Sequence, residues 1–120
     1  MKLLSALLII LVSCGPADNP QEAKPEIIRG LSSNFEEGTA QLTKRAQVAF
    51  PTDSSENNLL ERLKRQGFTE FSSDSDEQGV WHAAEFEERR FPCITGWSIR
   101  WRSKDKRITD VWAVFGAACL

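Results

Sequence analysis

The chain has no tyrosine and one histidine, and its charge is close to balanced at −2. Acidic and basic residues are mixed along it, without the clustered cations of a nucleic-acid-binding domain, so no nucleic acid is expected as a partner. One histidine leaves little for a metal cage, and no recognisable nucleophile motif accompanies it. The chain therefore reads as non-enzymatic, without a metal or cofactor. Long apolar runs are scarce too: Leu3 to Val12 is about half of the roughly 20 residues needed to cross a bilayer, which excludes a permanent spanning helix there.

That short run is nonetheless informative. Lys2 precedes it as a positive flank, and Ser5 and Ala6 are its smaller members. It ends in Leu11-Val12-Ser13-Cys14, which resembles the lipobox of bacterial lipoproteins: an aliphatic residue three before the cysteine, a small residue just before it, and a thiol to acylate. The resemblance implies that residues 1–13 are a cleaved signal peptide and that Cys14 carries diacylglycerol and an N-acyl chain. At about 0.8 kcal/mol per buried methylene, several chains anchor firmly where one does not. Gly15 follows the cysteine in place of the aspartate that often retains such proteins in the inner membrane, implying the outer membrane, facing the periplasm.

Removing residues 1–13 leaves roughly 100 residues, enough for one domain and too few for two. With Cys14 committed to lipid, Cys93 and Cys119 remain in an oxidising compartment, and a disulfide is expected. The loop it closes corresponds to about 3–4 kcal/mol in the chain-entropy model. A redox pair would need closer spacing, and a metal pair would need more partners than His82.

Residues 14–30 are polar at first, hold Pro20 and Pro25, and read as the lipidated cysteine and its tether, leaving 31–120 as the domain. Ser33 and Glu36 suggest a capping box opening a first helix to about Ala46, with Phe35, Leu42 and Ala46 near one face and Gly38 weakening it. Ala46 to Phe50 is alternatively a short extended segment before Pro51. Asp53 and Glu56 read as the N-cap and third residue of a second helix whose buried stripe is Leu59, Leu60 and Leu63. Gly67 and Phe68 have the order of a Schellman stop, and Lys64 and Arg65 suit the negative end of the helix dipole.

After Phe68 the apolar period changes to two. Phe68 to Phe71 is expected as a short strand, Ser72 to Gly79 as an acidic loop and Val80 to Phe86 as a strand. Trp97, Ile99 and Trp101 alternate with Ser98, Arg100 and Arg102, and Val111, Ala113 and Phe115 occupy every second position on the return. A loop of odd length, such as Asp105-Lys106-Arg107, would put both sets on one face. That register sets Trp101 against Val111, Ile99 against Ala113, Trp97 against Phe115 and Cys93 against Cys119. The other face would pair Arg102 with Asp110 and place Arg100 beside Trp112. The fold expected is α+β, two helices on an antiparallel sheet of three or four strands with the C-terminal hairpin tied by its disulfide.

The order of helix, Phe50-Pro51, capped helix, Gly67-Phe68 and a strand meander with late cysteines resembles the BamE-like (SmpA/OmlA) small lipoproteins over about Ser33 to Cys119. The resemblance implies a two-helix, three-strand domain acting as a non-enzymatic partner-binding module in the cell envelope.

Three groups of residues are candidates for a site. Asp74, Asp76, Gln78, Gly79 and Glu85 approximate the spacing of a calcium loop, making a calcium or small-ligand lipoprotein the alternative function, although Gln78 is a poor ligand and flanking helices are missing. His82, near Glu85 and Glu87 and with Cys93 as a conceivable nucleophile, matches no familiar catalytic grouping, and the expected disulfide removes the thiol. Trp81, Arg100, Arg102 and Trp112 have the residue types of protein–protein hot spots and are the expected contact surface for an envelope partner.

Overall fold

The computed structural model describes residues 24–120; Cys14, the segment 1–13 and the first part of the expected tether lie outside the described residues. A 3₁₀ turn, Glu26–Ile28, precedes α1 (Phe35–Ala49) and α2 (Glu56–Arg65). Four antiparallel strands follow as a meander in the spatial order of the chain: β1 (Glu70–Asp76), β2 (Gly79–Arg90), β3 (Cys93–Lys104) and β4 (Arg107–Cys119). Both helices pack on one face of this sheet, as the alternation in the sequence requires, and the sheet has one strand more than the BamE-like resemblance implies. No described helix is long and apolar enough to cross a membrane.

Each helix is capped one or two residues beyond the expected position. Asn34, not Ser33, caps α1, its side chain accepting from the Glu37 N–H at 2.9 Å, while Ser32 holds the Asn34 N–H. The helix continues through Ala49, so no extended segment precedes Phe50. Ser55, not Asp53, caps α2 by accepting from the Asn58 N–H. Asp53 instead takes a positive φ of 73° in the connecting turn and donates its N–H to the Ile108 carbonyl. At the other end the Schellman stop forms as expected: Phe68 N–H reaches Leu63 O, Gly67 N–H reaches Lys64 O, and Gly67 has φ 99°.

The core joins Leu42, Ala46 and Phe50 to Leu59, Leu63 and Phe68, over Ala84, Trp97, Ile99, Trp101, Ile108, Val111, Ala113 and Phe115. Ile27 and Ile28 belong to it as well, so the packed domain begins before residue 31, and the last part of the expected tether is structural. An Ile-Ile pair beside Pro25 carries no periodicity, which is why its burial is not visible in the sequence.

In β3 and β4 the register is the expected one, including Cys93 opposite Cys119, which form a disulfide. Its turn differs. Asp105 and Lys106 alone make the loop, both at positive φ as a type I′ turn demands, and Lys104 pairs with Arg107. The odd residue is absorbed by a bulge: Arg102 pairs with Asp110 but Ser103 with Ile108, leaving Thr109 over. This turns Ile108 inward, where it is 1% exposed. The expected acidic loop is likewise mostly strand, because β1 runs to Asp76 and only Glu77 and Gln78 turn the chain back.

β4 lies at an edge of the sheet, and α1 covers that edge. Thr43 Oγ1 accepts from Ala113 N–H and Thr39 Oγ1 from Phe115 N–H, both at 3.0 Å, while Gln47 donates to the Val111 carbonyl at 3.4 Å. Four helical residues rise about 6 Å and two strand residues about 6.6 Å, so side chains spaced by four track alternate residues of the strand. Gly38 permits the approach, since a Cβ there would stand 2.6 Å from the Phe115 ring. At the opposite edge β1 is exposed and charged, a composition that discourages pairing with other strands.

Candidate functional site

No described element covers the second face of the sheet. Because His82 pairs with Trp101 in the core-facing row, the neighbouring Trp81 and Arg102 point to this open face, as do Arg100 and Trp112. The four residues expected as a contact surface thus meet on three adjacent strands. Their partners are diagonal. Arg100 stands opposite Trp112 in the register as expected, but its guanidinium lies 4.8 Å over Trp81, and it is Arg102 that lies 4.8 Å over Trp112. The two indoles meet edge to face at 6.4 Å.

Charge is distributed unevenly over this group. Arg102 bonds Asp76 across the sheet and Asp110 at 3.5 Å, and its side chain is only 14% exposed. Partial desolvation pushes the Asp76 carboxyl up, but hydrogen bonds from the Gln78 backbone N–H and the Arg102 guanidinium, with the Arg102 charge, outweigh it and hold it below the usual carboxylate value. Arg100 donates to Ser98 Oγ and has no ion-pair partner among the described residues. Ala83 and Ser98 are buried although they face outward, which places the long side chains flat across the sheet. Beyond them Gly96 stands opposite Gly116, flanked by half-exposed Ile94 and Val114. The face therefore offers an unpaired cation beside a shallow apolar floor.

The calcium-loop residues do not converge. Asp74 and Asp76 lie at the end of β1 opposite Trp81 and Gly79, whereas Glu85 is four and six residues further along the extended β2, about 13 and 20 Å away. Glu85 instead pairs with Glu70, and these two with Glu87 bring carboxylate oxygens within 4.8 Å of one another. Cys93 is oxidised and offers His82 no nucleophile.

His82 has other company. Ser73, its direct cross-strand partner, places Oγ 2.7 Å from Nδ1, and Glu56 Oε2, from the first turn of α2, lies 4.0 Å from Nε2. Trp101 Nε1 donates to the same Glu56 oxygen at 2.9 Å. Ser73 was hidden in what the sequence presents as a loop, and Glu56 in what it presents as a cap. No short motif joins residues 56, 73 and 82; the signal available was the parity of a β1–β2 hairpin, which requires β1 to be recognised. Compared with known proteins, the chain matches no family model, no curated protein and no solved structure.

Proposed function

We propose that the protein is an envelope lipoprotein, anchored through acylated Cys14, that works by protein–protein contact on the open face of its sheet as an accessory or assembly module. The observation that carries the contact reading is the convergence of Trp81, Arg100, Arg102 and Trp112 on a face no described helix covers. Aromatic and arginine side chains held rigid by one another lose little freedom on binding, which is what makes them effective hot spots. Arg102 is already neutralised, so Arg100 is the cation left for a partner, with Ile94 and Val114 as apolar neighbours. The partner that fits is a protein presenting a carboxylate beside apolar side chains.

Cross-linking in intact cells from positions 100 and 112, followed by mass spectrometry, tests the reading. One dominant envelope protein should be captured, and Arg100→Glu or Trp112→Ala should abolish the capture without lowering the melting temperature by more than a few degrees. Capture of nothing specific, or capture unchanged by both variants, would reject this face as the contact. Anchoring is tested separately: metabolic labelling with a fatty-acid analogue should mark the wild-type chain and not Cys14→Ser.

A further inference from the structure

On the helix side of the sheet, α2 stops short of β1 and leaves a cleft of about 320 Å³ lined by Leu60, Phe71, Ser73, His82 and Trp101. We propose that this cleft is a hydrolytic site for small carboxylic esters, with Ser73 as nucleophile, His82 as its base and Glu56 as the residue that orients the imidazole.

Three elements contribute to it. β1 supplies Ser73, β2 supplies His82 and α2 supplies Glu56, with Oγ 2.7 Å from Nδ1 on one side of the imidazole and the carboxylate 4.0 Å from Nε2 on the other. A serine–histidine contact between paired strands is by itself ordinary surface chemistry. What distinguishes this one is the carboxylate aimed at the far nitrogen, held there by the Trp101 indole, and the cleft beside the hydroxyl. With Nδ1 accepting the Ser73 proton, the Nε2–H faces Glu56, and the imidazolium formed during reaction lies beside a negative charge. His82 also lies against the Trp101 ring at 5.7 Å, which restricts its rotation.

The reaction balances with ester and water alone. Ser73 Oγ bonds to the carbonyl carbon as its proton passes to Nδ1, and the carbonyl electron pair moves to oxygen. Collapse breaks the bond to the alkoxy group, which takes the proton from His82 and leaves as alcohol. Water, deprotonated by His82, then displaces Ser73 from the acyl group and releases the acid, the proton returning to Oγ. Leu60 and Phe71 form an apolar wall, so short acyl chains fit the cleft better than charged ones. General base catalysis supplies about 10²–10⁴-fold, which suits esters rather than the less reactive amides.

The full-length, disulfide-bonded protein is treated with a fluorophosphonate probe and assayed with p-nitrophenyl butyrate. Expected are an adduct mapped to Ser73 and hydrolysis that Ser73→Ala and His82→Ala each lower by about 100-fold or more. Ser73 is exposed, so Ser73→Ala should keep the wild-type melting temperature. Glu56→Gln should slow turnover and alter its pH profile, and Glu56→Asp should restore part of both. Absence of an adduct at Ser73, or hydrolysis unchanged in Ser73→Ala, would overturn the proposal and leave the opposite face unaffected.

Discussion

Gly38 gives a case where local propensity and tertiary packing demand opposite signs. It lies inside α1, and on helix propensity alone Gly38→Ala should stabilise by about 1 kcal/mol. In the folded protein the added Cβ would stand 2.6 Å and 2.9 Å from two Phe115 ring carbons and 2.7 Å from the Ser32 carbonyl oxygen. Neither neighbour can yield easily. The Phe115 ring stacks on Trp97 at 5.3 Å and meets Phe35 edge-on at 4.9 Å, and the Ser32 oxygen is main chain. Relief requires α1 to back away from β4, lengthening the Thr39 and Thr43 hydrogen bonds. Because neither neighbour yields, the cost falls in the upper part of the range for overpacking, about 2–3 kcal/mol, and after the propensity gain of about 1 kcal/mol a net loss of about 1–2 kcal/mol remains. For a domain of this size that lowers the melting temperature by about 5–15 °C. Thermal unfolding of the oxidised protein, followed by far-UV circular dichroism, measures it. A melting temperature equal to or above wild type would refute the close approach of α1 to β4. Adding Phe115→Leu should recover part of the loss, a coupling of about 0.5 kcal/mol or more.

Three further outcomes are expected. Thr43→Val keeps the shape but leaves the buried Ala113 N–H without its acceptor, costing about 1–3 kcal/mol and speeding hydrogen exchange of that amide. Reducing the Cys93–Cys119 bond should lower stability by about 3–4 kcal/mol, and before reduction neither thiol should react with an alkylating reagent. Asp76 has a folded-state pKa below its unfolded value of 3.8, so its contribution is complete above that value and is lost as pH falls through the folded one. Acid titration should therefore lower the melting temperature of wild type more than that of Asp76→Asn, narrowing the gap between the two below about pH 4.

Where neighbouring residues settle a feature, the sequence was readable. The Gly67-Phe68 stop, the leucine stripe of α2 and the alternation in β3 and β4 depend on contacts within a turn or along a strand. The pairing of Cys93 with Cys119 and the open face bearing Trp81, Arg100, Arg102 and Trp112 then follow from parity. Caps were less legible because two polar residues within two positions can both cap. The choice of Ser55 over Asp53 is made by the start of β4, where Asp53 donates to Ile108 O, Ser54 O accepts from Ile108 N–H, and Ser55 bridges to Arg107. The Asp105-Lys106 turn reads as longer in the sequence for a related reason, since parity can be restored by an odd loop or by a bulge, and only the burial of Ile108 decides between them.

By itself the sequence determined a two-helix, antiparallel-sheet domain and the central register, because hydrophobic period and chain order are properties of short segments. Only the tertiary structure decided that Ile27 and Ile28 enter the core, that α1 satisfies the free edge of β4, that β1 runs on past Phe71 to Asp76, and that Ser73, His82 and Glu56 come together. Each of those depends on contacts between residues far apart in the chain, where what matters is which polar groups burial would otherwise leave unpaired and where helix packing stops covering the sheet.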